Sequence, residues 1–149
     1  MTYLATNTFT TYFTELSLSS DQTVTGSSTL VNFDTVRQDT GSSVSLVGGG
    51  NGRIRLGGGR SYWVQGCIAI NRTNDTDIYT TKWYNTSGVE LTEANGACDA
   101  ETYDTLKTES RVCQLMIYVA SDTDYDLKVE GGAGDIKNDG TSLLIKEFA

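Results

Sequence analysis

Apolar and polar residues alternate along almost the whole chain, and this period of two limits the chain to β structure. An amphipathic helix needs apolar residues at i, i+3, i+4 and i+7, and that spacing is nearly absent. Its one short candidate, Ala100 to Lys107, is rich in threonine. β-branched and aromatic residues, which pack well on a pleated sheet, dominate the apolar set. The pattern predicts an all-β protein.

Glycine-rich turns divide the alternating segments into short predicted strands. Asn51-Gly52 is a tight-turn signal, and the run Gly57 to Gly59 separates two further segments. A chain of 149 residues forms one domain, and strands of this number and spacing predict a sandwich or a barrel. The predicted strands are Glu15–Ser19, Leu30–Asp34, Val44–Val47, Arg53–Leu56, Arg60–Asn71, Asp77–Asn85, Val89–Thr92, Arg111–Ala120, Tyr125–Gly131 and Ser142–Phe148.

Two of these predicted strands, Arg60–Asn71 and Arg111–Ala120, are apolar on both faces. One face of each strand is wholly apolar, and the other carries Trp63 in the first strand and Met116 and Tyr118 in the second. A face exposed to solvent would carry charged residues, whereas aromatic residues and methionine are enriched in subunit interfaces. We therefore expect another subunit to cover this second face; the alternative is a loop of the same chain.

The composition excludes several classes of function. The chain has no histidine, which removes the commonest general base and most zinc and iron sites. Its formal net charge of −8 argues against a nucleic-acid partner, because phosphate binding needs clustered Lys and Arg. Residues 1–20 lack the basic start and apolar stretch of a signal peptide. We therefore expect that the protein is made in the cytoplasm of the host and that it does not insert into a membrane.

The motifs that could carry chemistry are better explained as structure. Asp122 to Asp126 has alternating carboxylates, but Leu127 and Ala133 stand where a calcium-binding EF-hand needs glycine and glutamate. The glycine runs match no phosphate-binding motif and are typical of turns. The three cysteines, Cys67, Cys98 and Cys113, have no metal-ligand spacing, and Cys67 and Cys113 are predicted on opposite faces. We expect no metal, no cofactor and three free thiols.

A series of short motifs resembles one known family. Phe33-Asp34 is followed by Gly52 to Leu56, by Gly59 to Val64 and by Lys82 to Asn85, and the chain ends with an apolar strand at Ser142. The series is similar to the trimeric jelly roll of the tumour-necrosis-factor (TNF) and complement globular-head superfamily, in the version found in bacteriophage surface proteins. The resemblance covers about Glu15 to Phe148. It implies an antiparallel jelly-roll sandwich assembled as a homotrimer.

The resemblance also implies which residues meet at the subunit interface. It places Arg60–Asn71, Arg111–Ala120 and Ser142–Phe148 side by side in the inner sheet, which faces a three-fold axis in this superfamily. This agrees with the alternation of faces described above. The implied trimer contacts are Trp63, Gln65, Gln114, Met116 and Tyr118.

The first fourteen residues precede the expected jelly-roll domain at 15–149. They carry apolar side chains among threonines, and such side chains on a free tail would be an exposed liability. We expect this arm either to dock on a capsid or a neighbouring subunit, or to form an extra strand of the domain. The candidate capsid anchors are Tyr3, Leu4, Phe9, Tyr12 and Phe13.

The leading hypothesis is a non-enzymatic phage virion protein, a trimeric capsid decoration or head-fibre protein on the particle surface. Its partners would be its own copies and the major capsid protein or another virion component. A second hypothesis is a receptor-binding module for host surface glycans, because sugar sites favour exposed aromatics beside Asp and Asn. A third, a glycan-cleaving enzyme, would need an acidic pair such as Glu90 and Glu93 or Asp99 and Glu101. The candidate glycan contacts are Trp83, Tyr84, Asn85, Tyr103 and Asp104.

Overall fold

The structure is a computed structural model that describes residues 10–26, 28–48, 52–74, 77–92, 96–98, 100–102 and 108–149, with the backbone alone at 97–98, 100–102 and 108–111. The described residues include no helix that could span a membrane. These residues form fourteen strands, and the predicted all-β class is confirmed. The strands are β1 Thr11–Ser17, β2 Gln22–Thr25, β3 Thr29–Leu30, β4 Thr35–Asp39, β5 Val44–Leu46, β6 Ile54–Leu56, β7 Arg60–Arg72, β8 Tyr79–Asn85, β9 Ala97–Cys98, β10 Ala100–Thr102, β11 Thr108–Val119, β12 Thr123–Gly131, β13 Ala133–Ile136 and β14 Ser142–Phe148.

The strands form two antiparallel sheets. Sheet A has the order β2-β13-β7-β14-β1-β4, and β11 pairs with the other edge of β7 along almost its whole length. Sheet B has the order β10-β8-β12-β6-β5, with β3 also paired to β12. β9 adds to the outer edge of β11 in sheet A, and β10 adds to β8 in sheet B. β9 and β10 therefore belong to different sheets.

The core lies between the two sheets. Sheet A contributes inward side chains such as Val64 on β7 and Leu115 on β11, which are cross-strand partners. Sheet B contributes Trp83 and Leu127, which are also cross-strand partners and fully buried. Gly66 lies on β7 in sheet A, and a Cβ atom there would come within 2.9 Å of Cys113 Sγ and 3.0 Å of the Leu127 side chain of sheet B. The absence of a side chain at Gly66 lets the sheets approach closely.

Most predicted strands are confirmed, and Ser142–Phe148 has the predicted bounds. The prediction of one strand at Leu30–Asp34 is wrong, because β3 ends at Leu30 and β4 begins only at Thr35. Residues 31–34 belong to no strand, and Phe33 donates its N–H to Val31 O. The strand predicted at Val89–Thr92 is also wrong, since the segment makes only an isolated bridge from Glu90 to Tyr84.

The predicted boundary between an arm and the domain falls inside a strand. β1 begins at Thr11 and pairs with β14 over its whole length. Tyr12 and Phe13 are therefore part of sheet A, and their assignment to a separate arm is wrong. Their side chains alternate across the sheet, with Phe13 on the outer face. The other candidate anchors, Tyr3, Leu4 and Phe9, lie outside the described residues.

Candidate subunit interface

The outer face of sheet A brings the five predicted interface residues together on two neighbouring strands. In the register of β11 and β7, Met116 lies opposite Trp63 and Gln114 opposite Gln65. Tyr118 lies one step further along β11, opposite Ser61. The alternation in sequence places all five on one face because successive side chains of a strand point to opposite sides. Their role as contacts stays a prediction.

The face is strongly apolar for a solvent-exposed surface. Met116 is 63% exposed and Tyr118 is 65% exposed, while Val112, on the same face of β11, is also exposed. Their strand neighbours Cys113, Leu115 and Val119 are buried in the core. The inward face of β11 is thus already packed, and its outward face carries large apolar side chains with no covering element among the described residues. A contiguous apolar patch of this kind marks an interaction site.

The same face continues across β14 and β1 to residues that sequence reasoning missed. Lys146 on β14 lies opposite Trp63 on one side and Phe13 on the other. Its ammonium lies 5.6 Å from the centroid of the Phe13 ring and 5.2 Å from that of Phe148. The motif at Ser142 predicted the strand, but only the pairing register shows that these side chains extend the face. From here on, the "interface face" means the outer face of sheet A formed by Val112, Gln114, Met116, Tyr118, Trp63, Gln65, Leu144, Lys146, Phe148 and Phe13.

A buried ion pair holds the sheet beside this face. The Glu147 side chain is fully buried, and its Oε2 accepts a hydrogen bond of 2.6 Å from the backbone N–H of Ser43. Its Oε1 accepts a hydrogen bond from Arg60 Nη1. Tyr62 lies nearby, where burial, followed by the negative charge of Glu147, raises its pKa to about 12. The cluster ties the last strand to β7 and to the loop that joins β4 to β5.

The three described residues of the proposed glycan site, Trp83, Tyr84 and Asn85, do not form an exposed aromatic site. Trp83 is buried in the core, facing sheet A, so its prediction as a surface contact is wrong. Tyr84 is also largely buried, and its hydroxyl makes a 2.5 Å hydrogen bond with Glu130. Asn85 Oδ1 accepts hydrogen bonds from the backbone N–H groups of Ser87 and Val89, which closes the turn after β8. Tyr103 and Asp104 lie outside the described residues.

The three carboxylates of residues 122–126 accept hydrogen bonds from donors of the same chain. Arg55 holds Asp124 in a two-bond contact of 2.7 and 3.0 Å, and this hydrogen bonding holds the pKa of Asp124 below its ordinary value. Arg53 holds Asp126 in the same way, at 2.8 and 2.9 Å. Among the described residues no cluster of Asp, Glu and Cys is arranged to hold a metal ion. The carboxylates therefore serve sheet B as ion pairs.

The cysteine prediction can be checked at two positions. Cys113 is buried on the inner face of β11, where its Sγ donates to Gly66 O at 3.6 Å, whereas Cys67 is a free thiol, half-buried on the outer face of β7. The predicted opposite faces of these two residues are confirmed by the pairing of Val112 with Cys67 and of Cys113 with Gly66. The side chain of Cys98 is not among those described.

The comparisons with known proteins give structures and no sequence relatives. No family model and no curated protein matches the chain. The murine APRIL crystal structure at pH 8.5 aligns with a TM-score of 0.66 and 11% identity, over 93% of this chain and 99% of that chain. PRD1 vertex protein P5 aligns with a TM-score of 0.53 and 15% identity, over 93% and 94%. Eiger TNF from S. frugiperda aligns at 0.51 and 16%, over 95% and 93%.

These likenesses concern the fold. They confirm the predicted jelly roll of TNF type, because both TNF-family structures and the PRD1 protein align over nearly the whole chain. Sheet A contains the three strands that the resemblance placed side by side, in the order β14-β7-β11.

Proposed function

From this TNF-like jelly-roll fold, we propose that the chain is a non-enzymatic structural protein that assembles as a homotrimer through its interface face. The observation that carries the proposal is the exposure of Met116 and Tyr118 beside Trp63. These large apolar side chains point outward from the longest paired strands of sheet A. Burying them away from water lowers the free energy of the protein. A second copy supplies the apolar surface that covers them.

A cyclic trimer suits this face better than a two-fold dimer. The apolar side chains lie in two groups, one on β11 and β7 and the other on β1 and β14, with Lys146 and Gln65 between them. In a head-to-tail ring, different patches of neighbouring copies meet, and a ring that closes leaves no patch uncovered. An obligate interface of this type buries upwards of about 2,000 Å².

The proposed place of action is the surface of a phage particle. The likeness to PRD1 vertex protein P5, at 15% identity, supports a virion component. We assign the trimer to a capsid decoration or head fibre, bound to the major capsid protein or another virion component. Residues 1–9, with Tyr3, Leu4 and Phe9, precede β1 and are the proposed attachment segment.

The mass of the protein in solution tests the assembly. Light scattering at micromolar concentration should give about 48 kDa, three times the 16.1 kDa of one chain. A protein that stays monomeric at this concentration would refute the proposed interface.

Charge substitutions test the surface itself. Tyr118→Asp and Met116→Asp place an unpaired charge in the proposed contact and should yield monomers or unfolded protein. Val89→Asp is the matched control, because Val89 is 58% exposed but lies in the turn after β8, away from sheet A. The control should remain trimeric. If all three variants keep the wild-type mass, the interface face is misassigned.

Deletion of residues 1–9 tests the attachment. The shortened protein should remain trimeric, because β1 and its pairing with β14 begin only at Thr11. It should no longer bind undecorated capsids in a sedimentation assay. Unchanged capsid binding would exclude the segment as the anchor.

A further inference from the structure

Two charged side chains lie among the apolar ones on the outer face of sheet A. Lys146 on β14 lies opposite Trp63 and Phe13, and its ammonium lies 5.6 and 5.2 Å from the centroids of the Phe13 and Phe148 rings. Glu15 on β1 lies two residues from Phe13, on the same side of the strand. A second copy that covers this face takes both charges out of water, which is unfavourable unless each meets a suitable group.

The pairing register arranges this face in rows that run across the sheet. Each row has one member on β11, one on β7, one on β14 and one on β1, in this order. The first row is Met116, Trp63, Lys146 and Phe13, and the second row is Gln114, Gln65, Leu144 and Glu15. The two rows are two residues apart on each strand, which corresponds to about 7 Å along the strands.

Rotational symmetry limits which rows can meet in a ring. A rotation changes neither the height of an atom along the axis nor its distance from the axis, so atoms that touch across a cyclic interface have nearly equal heights and distances. The β11–β7 half and the β14–β1 half of the face lie side by side across the strands. A ring that joins one half to the other therefore has its axis along the strands, between β7 and β14. Each row of one copy then meets the same row of the next, with β7 against β14 and β11 against β1.

We propose that, in the assembled protein, Lys146 of one copy lies on the indole ring of Trp63 of the next copy. In the second row, Glu15 of the first copy accepts a hydrogen bond from the side-chain amide of Gln114 of the next. The inference rests on the proposed trimer and adds the contacts that hold its copies in register. Tryptophan is the aromatic side chain that binds a cation best, and the amide of glutamine supplies N–H donors for a carboxylate.

The chemistry of the face disfavours a shift by one row. With β1 against β11, such a shift would place Glu15 against Met116 in one direction and against Val112 in the other. Either shift would cover the carboxylate with an apolar side chain and leave it the guanidinium of Arg37, at 3.7 Å, as its ion-pair partner among the described residues. Burial of a charge beside apolar groups is unfavourable, so the matched rows are selected against their alternatives.

Disulfide capture between copies tests which rows meet. Met116 and Phe13 lie at the two ends of the first row, on β11 and β1, and should touch across the interface. A Met116→Cys chain mixed with a Phe13→Cys chain before assembly should therefore give a linked pair on oxidation. Both chains also carry Cys67→Ser, which removes the free thiol of this face. Because each chain has one new thiol, a 13–116 disulfide identified by mass spectrometry joins two copies.

The matched control moves one thiol by one row. A Gln114→Cys chain mixed with the Phe13→Cys chain keeps the new cysteine on β11 but places it in the second row. A disulfide needs Cα atoms within about 7 Å, so the control pair should link at least about tenfold more slowly than the 13–116 pair. A control that links as fast as the 13–116 pair, or faster, overturns the inference and leaves the proposed trimer standing.

Substitutions of Lys146 give a second measurement. Lys146→Arg keeps a cation that stacks on an aromatic ring, so the protein concentration at which the trimer dissociates should stay within about threefold of the wild type. Lys146→Glu should raise this concentration at least about tenfold, because the faces of aromatic rings repel a carboxylate. Lys128→Glu is the matched control and should have little effect, because Lys128 lies 4.5 Å from the centroid of the Tyr84 ring on the outer face of sheet B.

The outcomes separate the two proposals. A monomeric wild type overturns the trimer and this inference with it. A trimeric wild type that responds equally to Lys146→Glu and Lys128→Glu overturns only the contact between Lys146 and Trp63. Circular dichroism checks the folding of each variant, and where a cysteine variant does not assemble, the comparison of Lys146→Arg with Lys146→Glu decides.

Discussion

The buried pair of Arg60 and Glu147 makes an asymmetric prediction about stability. The Glu147 side chain is 0% exposed, whereas Arg60 is 35% exposed and can reach water. Arg60→Met leaves a fully buried carboxylate that keeps the Ser43 N–H and the nearby Tyr62 hydroxyl but has lost its counterion. Loss of one partner of a buried pair costs about 3–5 kcal/mol, because the remaining charge has neither water nor a counterion.

The reverse substitution should cost less. Glu147→Gln keeps the shape of the side chain and an oxygen that can accept from Ser43, and it leaves Arg60 partly solvated. We expect a loss of about 1.5–3 kcal/mol, the usual contribution of a hydrogen bond to a charged group. The double variant Arg60→Met/Glu147→Gln removes both charges and should be more stable than Arg60→Met alone.

The free energy of unfolding is measured by denaturant titration at one protein concentration, since self-association raises apparent stability. In a thermal scan, Arg60→Met should lower the Tm by about 6–20 °C, at roughly 2–4 °C per kcal/mol for a chain of this size. A loss below about 1 kcal/mol would be typical of a surface ion pair and would refute the buried environment of Glu147. A double variant less stable than Arg60→Met would refute the reasoning from an unpaired charge.

Three further predictions concern the core and the response to acid. Gly66→Ala should lower the free energy of unfolding by about 1–3 kcal/mol through overpacking, because the new Cβ would approach Cys113 Sγ to 2.9 Å. In the same denaturant titration, adding Cys113→Ala should recover part of this loss. Trp83→Phe removes a buried indole N–H that has no hydrogen-bond partner among the described residues. The loss of stability should therefore fall well below the roughly 3–5 kcal/mol typical of Trp→Ala in a core, and an equal loss in Trp83→Phe and Trp83→Ala would contradict this. Hydrogen bonding from Arg55 lowers the pKa of Asp124 in the folded state. The ion pair therefore stabilises the fold above the unfolded pKa near 3.8, and this contribution is lost as the pH falls through the lower folded pKa. Arg55→Met should be less stable than the wild type at pH 7 and equally stable near pH 2.

Several features of the fold follow from local sequence patterns. The alternation in β7 and β11 predicts both the strands and their buried faces, because one face of each is apolar and a shift of one residue would expose it. The turns after Val44–Val47 and Arg53–Leu56 follow from glycines, and Gly48, Gly52 and Gly59 adopt positive φ values of 72°, 73° and 75°. Each of these signals lies within a few residues of the structure that it predicts.

Other elements carry no such local signal. β2 and β4 consist largely of polar residues, and β13 contains glycine, so alternation alone does not identify them. They are strands because sheet A offers each a partner, β13 for β2 and β1 for β4. The lack of a local signal also explains the wrong prediction for Trp83. Its sequence neighbours Tyr84 and Asn85 made it resemble an exposed aromatic residue. Its side chain faces the core because of its position in β8.

The sequence by itself determined the all-β class, the long apolar strands, the opposite faces of Cys67 and Cys113, and the five residues predicted on one outer face. These depend on a period of two and on the conformational freedom of glycine, which act over neighbouring residues. Only the tertiary structure decided that Tyr12 and Phe13 belong to sheet A, that Lys146 lies between Phe13 and Phe148, and that Glu147 is buried beside Arg60. Each of these depends on the register between strands far apart in the chain, because pairing across a sheet sets which side chains share a row and which of them lose contact with water.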